Sequence, residues 1–181
     1  MKRFVLAFCA MISSLAFAQV SPRNLKPFTT GLHICGAISI DADENIRISE
    51  WSSERVGIYD KNGKLIRTIE DIGDPSGNCF DDEGNYYVCA YSYGRIYKIT
   101  PDGKKSVYAT GFDVPAGIAW IDSAIHVCNR DAGELVRIEK NGKKTVLAKG
   151  FSTPIGVARL SDGRIIFDAW GQSAAYIIGT N

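Results

Sequence analysis

The sequence predicts an all-β fold, a propeller of about four four-stranded blades whose ring is closed by an N-terminal strand completing the last blade. Three observations predict it. Pro75-Ser76-Gly77, Pro115-Ala116-Gly117 and Pro154-Ile155-Gly156 recur at a period of about 40 residues, a spacing typical of one blade. The stretch after each triplet recurs as well: residues 80–88 align with residues 159–167, an earlier copy at residues 40–48 matches without a gap, and residues 120–127 are one residue short in the turn. No stretch beyond the first residues has helical periodicity, while every repeat holds short strand-like runs between turn signals.

The chain begins with Lys2 and Arg3, which precede an apolar run over residues 4–18 that ends Ala16-Phe17-Ala18, the pattern of a secretory signal cut before Gln19. A run of about 15 apolar residues is too short for a membrane span, which needs roughly 20. The expected organisation is therefore a signal peptide over residues 1–18 and one propeller domain over residues 19–181, secreted or periplasmic, with no membrane span. Residues 26–31 resemble residues 106–111 and 145–150, the fourth strands of two repeats, and the last copy ends after its third strand at Ala175-Tyr176-Ile177-Ile178. The N-terminal segment is thus expected to supply the missing strand, where Pro27 suits an outer edge. In the second repeat the strands fall at residues 79–81, 85–90, 95–100 and 106–110, with Gly84, Gly94 and Gly103 supplying positive φ in the turns.

Composition removes some classes of function. Net charge is +1 with acids and bases interspersed, so there is no basic stripe for nucleic acid. Cys9 leaves with the signal. Cys35, Cys79, Cys89 and Cys128 remain, four thiols that permit three pairings without choosing one. Cys89 and Cys128 occupy the position held by Ser49 and Asp168 in the other repeats, which reads as a small buried strand position.

In a propeller the loops entering the inner strands and those joining second to third strands surround the mouth of the central channel. The alignment gives two rings of residues: Gly36, Ser76, Ala116 and Ile155, then Glu50-Trp51, Ala90-Tyr91, Asn129-Arg130 and Ala169-Trp170. Trp51, Tyr91, Arg130 and Trp170 form the expected ligand rim, since aromatic rings and arginine combine large flat faces with hydrogen-bonding edges. Glu50 and Asn129 lie two blades apart and complete the candidate set, both as ligand contacts and as metal ligands. Two side chains would leave most of a hard cation's six or more oxygens to water and backbone. His33, in the loop before the first inner strand, is the candidate general base. His126 falls mid-strand, where packing accounts for it, and no G-x-S-x-G elbow is present.

Residues 36–51, continuing through Arg55-Val56 to residues 64–69, resemble an NHL repeat, and the Pro-x-Gly copies with strands of the Tyr86-Tyr87-Val88 type resemble SMP-30/gluconolactonase-like propellers. The resemblance covers the whole mature chain and implies a six-bladed propeller superfamily, although the residues suffice for four blades. It also implies a lactonase whose divalent cation (Ca or Zn) is held by Glu and Asn of the first ring and Asp of the second. Here the first ring has no carboxylate or amide. The expected function is an exported binding module recognising a small molecule, sugar or protein at the channel mouth, with no cofactor. The alternative is a metal-dependent lactonase-type hydrolase using Glu50, Asn129 and His33. A homodimer sharing one larger ring is the alternative to four blades closing alone.

Overall fold

The computed structural model describes residues 25–179, so the signal-like segment over residues 1–18 and the boundary at Gln19 lie outside the described residues. Fifteen strands form four antiparallel sheets. Blade 1 holds β1 (Cys35–Ile40), β2 (Ile46–Glu50), β3 (Arg55–Tyr59) and β4 (Leu65–Ile69). Blade 2 holds β5 (Pro75–Phe80), β6 (Tyr86–Ala90), β7 (Arg95–Ile99) and β8 (Lys105–Thr110). Blade 3 holds β9 (Pro115–Ile121), β10 (Ala124–Asn129), β11 (Glu134–Glu139) and β12 (Lys144–Lys149), and blade 4 holds β13 (Pro154–Arg159), β14 (Ile165–Ala169) and β15 (Ala174–Ile178). No helix among the described residues is long and apolar enough to cross a membrane.

The turns explain the repeated Asp-x-x-x-Asn signature. Asp41 Oδ1 accepts from the N–H of Asp43 at 3.0 Å and of Asn45 at 2.8 Å, and Asp81 Oδ1 accepts from Glu83 at 2.9 Å and Asn85 at 2.8 Å. Each carboxylate thereby satisfies the backbone of its own hairpin.

The apolar core lies between blades. Val56, Ile58 and Ile69 of blade 1 pack with Tyr86, Val88 and Ile99 of blade 2 around Ile72. Tyr87, Cys89 and Ile96 of blade 2 meet Ile125, Val127 and Ile138 of blade 3 around Phe112. Cys128 and Leu135 of blade 3 meet Phe167 and Tyr176 of blade 4 around Phe151. Cys89 and Cys128 are fully buried in these junctions, and burial pushes the Cys128 thiol up to about 12. The four described cysteines are unbridged.

The Pro-x-Gly triplets make the inner strands fit. Each sits in a register break, between Pro75 and Asn78 on β5 and between Pro154 and Val157 on β13, so the bulge bends the strand at its upper end. A Cβ built on Gly77 would lie 2.4 Å from the carbonyl oxygen of Ala116, and one on Gly117 would lie 1.9 Å from that of Ile155. Neighbouring inner strands therefore touch backbone to backbone, a distance only glycine allows.

Two expectations are corrected. The N-terminal segment does not complete the last blade: residues 25–34 carry no strand, and the fourth sheet stops at three strands. The segment crosses the outward face of blade 1 instead, where Leu32 packs against Ile46, Ile48 and Tyr59 and Phe28 meets Tyr59 edge-on with centroids 6.5 Å apart. Apolar Phe28 and Leu32 gain more from that surface than from an edge ladder to which Pro27 cannot donate. Inner strands pack β1 on β5, β5 on β9 and β9 on β13, with no comparable packing of β13 on β1. The six-bladed architecture is also overturned, because the described residues form four sheets.

The glycine contacts predict unequal costs for the same substitution. Gly117→Ala should destabilise by about 3 kcal/mol through a backbone clash that cannot relax. Gly156→Ala should change stability by less than about 1 kcal/mol, since its Cβ would meet only the Asp168 carboxylate at 3.4 Å. Urea unfolding of the two variants checks the ranking. A second prediction concerns His126, which is buried and held below its ordinary pKa, chiefly by desolvation. The unfolded chain then binds more protons than the folded one as pH falls below the unfolded histidine value of about 6.5. Stability contributed by the neutral imidazole is full above that value and is lost as pH falls toward the lowered folded pKa. Unfolding midpoints measured from pH 8 to 5 should show this loss, and His126→Tyr, which copies Tyr87 of blade 2, should remove it.

Candidate functional site

The upper ends of the inner strands enclose a pocket of about 440 Å³ at the channel mouth, with a floor from Gly36, Ser76, Gly77, Ala116, Gly117 and Ile155. The floor is mostly backbone because the same residues make the close approach between blades. Ser76 ties two blades together there, its hydroxyl donating to the carbonyls of Pro115 at 3.0 Å and Ala116 at 3.2 Å. On blade 4, Asp168 Oδ1 accepts from the N–H of Ile155 at 3.2 Å and of Gly156 at 2.5 Å, holding the bulge of β13.

One device repeated in all four blades positions the rim. The residue before each triplet adopts a left-handed conformation: Ile34 at φ 42°, Asp74 at 50°, Val114 at 61° and Thr153 at 57°. Three of these are β-branched, for which positive φ is an outlier held in place by its surroundings. Their carbonyls accept from the N–H of Trp51 at 2.9 Å, Tyr91 at 3.3 Å, Arg130 at 3.0 Å and Trp170 at 2.9 Å, respectively. Each rim residue is thus fastened by its backbone, leaving the side chain free to face the mouth.

Trp51, Tyr91 and Arg130 line the pocket together. The rings of Trp51 and Tyr91 lie 4.2 Å apart at a 59° tilt, and the Arg130 guanidinium stands over Tyr91 at 5.9 Å. Arg130 is also paired with Asp131 at 2.5 Å, which engages one of its five N–H donors and leaves the others for a ligand. Trp170 occupies the equivalent position on blade 4 but is 70% exposed and stands outside the pocket lining.

Glu50 and Asn129 do not face the pocket. Glu50 is fully buried, accepting from Arg55 at 3.0 Å and from the Tyr59 hydroxyl at 3.1 Å. Burial, and then the bond to Glu50, raise the Tyr59 hydroxyl to about 12, so it stays a donor. Asn129 accepts from the Asp113 N–H at 2.7 Å and donates to Glu134 at 3.2 Å. Both side chains brace loops within single blades, and their oxygens do not fit a shared cation. No group of three or more His, Cys, Asp or Glu among the described residues is placed to hold a metal ion. His33 is exposed in the segment before β1 and is not part of the pocket wall.

Sequence reasoning missed the brace on Glu50 and the role of Asp168. Arg55 lies directly across the β2–β3 hairpin from Glu50, so an acid and a base flanking a short turn carried the signal.

No family model matches the chain, and no curated protein matches it. Solved structures do. A catalytically inactive virginiamycin B lyase from Staphylococcus aureus with quinupristin superposes with a TM-score of 0.71 at 20% identity, over 83% of this chain and 54% of the lyase. A putative gluconolactonase gives a TM-score of 0.76 at 14% identity, over 86% of this chain and 62% of that one. The nidogen/laminin complex gives 0.71 at 21% identity, over 81% and 60%. At these identities the likeness establishes the propeller fold. It extends to a WD40 propeller as well, and so does not single out the NHL repeat. The chain spans about half the length of the lyase structures it resembles.

The hydrogen bonds of Glu50 predict a structural phenotype. Glu50→Ala leaves a buried tyrosine hydroxyl and a half-buried guanidinium without their acceptor, and should cost about 2 kcal/mol, less than a fully buried pair because Arg55 reaches solvent. Thermal unfolding checks it, with Glu50→Gln expected to lose roughly half as much.

Proposed function

We propose that this chain is an exported binding module that takes a flat, ring-bearing small molecule, a sugar or an aromatic acid, at the channel mouth. The observation that carries the reading is the adjacency of Trp51, Tyr91 and Arg130 above a floor of peptide backbone in a pocket of about 440 Å³. That volume lies within the range of small-molecule sites. Trp51 and Tyr91 offer apolar faces to a ring, Arg130 offers charged donors to its polar edge, and the floor offers peptide groups. Both sugars and aromatic acids meet those demands.

A lyase or lactonase chemistry has less beneath it. The relatives named for such reactions share the fold at low identity, and analogy of fold does not carry activity. Of the two histidines, His126 is buried mid-strand on β10 and His33 stands away from the pocket. The carboxylate and amide that would hold a cation are engaged elsewhere.

Tryptophan fluorescence during titration with glucuronate and with indole-3-acetate tests the reading. A saturable change is expected for at least one, weakened tenfold or more by Trp51→Ala and by Arg130→Ala, with Trp120→Phe unaffected. Absence of saturation with both ligands, or a response that survives Trp51→Ala unchanged, overturns it.

A further inference from the structure

Over blades 1 to 3 the polar side chains in the floor of the mouth are already spent on the fold. Ser76 is buried, and its hydroxyl proton is shared between the carbonyls of Pro115 and Ala116 on the next blade. Asn78 donates from Nδ2 to the buried Ser49 hydroxyl at 2.9 Å, and its Oδ1 is buried beneath the surface. The side chains beside them, Ala116 and Ile118, are apolar. A ligand resting on this part of the floor meets methyl groups and peptide planes, with few side-chain donors or acceptors left to serve hydroxyl groups.

The rim above that floor is an aromatic corner with one charge beside it. Trp51 and Tyr91 both line the pocket and are tilted by 59°, so a ring lying flat on one of them meets the other at a steep angle. An aromatic ring in that corner stacks on one neighbour and turns its positive edge to the face of the second, the arrangement that aromatic groups prefer. A sugar in the same place turns hydroxyl groups toward a π-face, which is a poor acceptor, and loses their water without replacing it. Arg130 is the one charged residue among those lining the pocket. Asp131 engages its Nη1, but that carboxylate stands outside the lining and reaches solvent, where its charge is screened. The other guanidinium N–H groups keep the fork geometry that a carboxylate fits.

We infer that the mouth selects an aromatic carboxylic acid over a sugar, the ring held in the corner of Trp51 and Tyr91 and the carboxylate held by Arg130. The inference rests on the binding-module reading and narrows it to one ligand class. Two demands must be met together: a flat ring that needs no hydrogen bonds along its faces, and an anionic group within reach of the guanidinium that stands 5.9 Å from the Tyr91 ring. A uronic acid meets the second demand and fails the first, and a neutral aromatic alcohol meets the first and fails the second.

Calorimetric titration of the full chain with indole-3-acetate, indole-3-ethanol and glucuronate separates these demands, run at two temperatures so that a near-zero enthalpy at one does not hide binding. Indole-3-acetate is expected to bind about tenfold or more tightly than either of the others. Arg130→Gln, with its fold checked by circular dichroism, should bring indole-3-acetate down to the affinity of indole-3-ethanol while leaving indole-3-ethanol unchanged. Trp51→Ala should weaken both indoles. Glucuronate binding as tightly as indole-3-acetate overturns this inference and leaves the binding-module reading standing. An acetate advantage that survives Arg130→Gln overturns the inference as well. Saturable binding of none of the three overturns the reading and the inference together.

Discussion

Where two inner strands of this propeller meet, one strand's peptide carbonyl occupies the space a neighbour's Cβ would need, 2.4 Å from the position built on Gly77 and 1.9 Å from that on Gly117. Almost everything else depends on that contact. Blades that touch backbone to backbone at the channel must splay apart toward the outside, so side chains must grow with distance from the axis. They do: glycine and alanine lie at the mouth, and Tyr87, Phe112 and Trp120 fill the junction between blades 2 and 3 farther out. The wedge is filled by dispersion and burial at native packing density. The narrow end is left as peptide backbone, which is what a ligand at the mouth would meet.

The same arrangement separates scaffold from recognition. A left-handed residue before each triplet hands its carbonyl to the N–H of the rim residue, at 2.9 to 3.3 Å in all four blades. Because the fastening is by main chain, tryptophan, tyrosine and arginine are interchangeable at that position as far as the blade is concerned. Strained φ values at Ile34, Val114 and Thr153 persist since the bulge, the triplet and the rim bond together over-determine the loop. Chemistry at the mouth is therefore set by one residue per repeat.

This division explains how far the sequence could be read. Strand positions and turn chemistry were legible because each is a local pattern repeated at a fixed spacing, and the Pro-x-Gly glycines announce the close approach directly. Ring closure was not legible. Residues 26–31 do resemble a fourth strand, but resemblance to a strand says nothing about which sheet it joins, and that depends on a long-range pairing that no local pattern encodes. Glu50 and Asn129 were drawn to the mouth by their place in the chain at the ends of β2 and β10. Period-two alternation turns them away from it, and each meets a cross-strand partner, Arg55 for Glu50 and Glu134 for Asn129.

The isolation of Trp170 comes from the same neighbour dependence. In a repeat protein each unit is stabilised by the units it touches, and here the rim behaves likewise: Trp51 leans on Tyr91 of the next blade, and Tyr91 lies under Arg130 of the blade after that. Trp51 and Tyr91 each meet a side chain of the next blade, while Arg130 is held by Asp131 of its own blade. Blade 4 is fastened like the others, through the bond from Trp170 to Thr153, so its loop is formed while its indole stays 70% exposed. Two rim residues are placed by internal junctions and the fourth is not. The strongest part of this site therefore lies across blades 1 to 3, where Trp51, Tyr91 and Arg130 line one pocket and two successive junctions hold them.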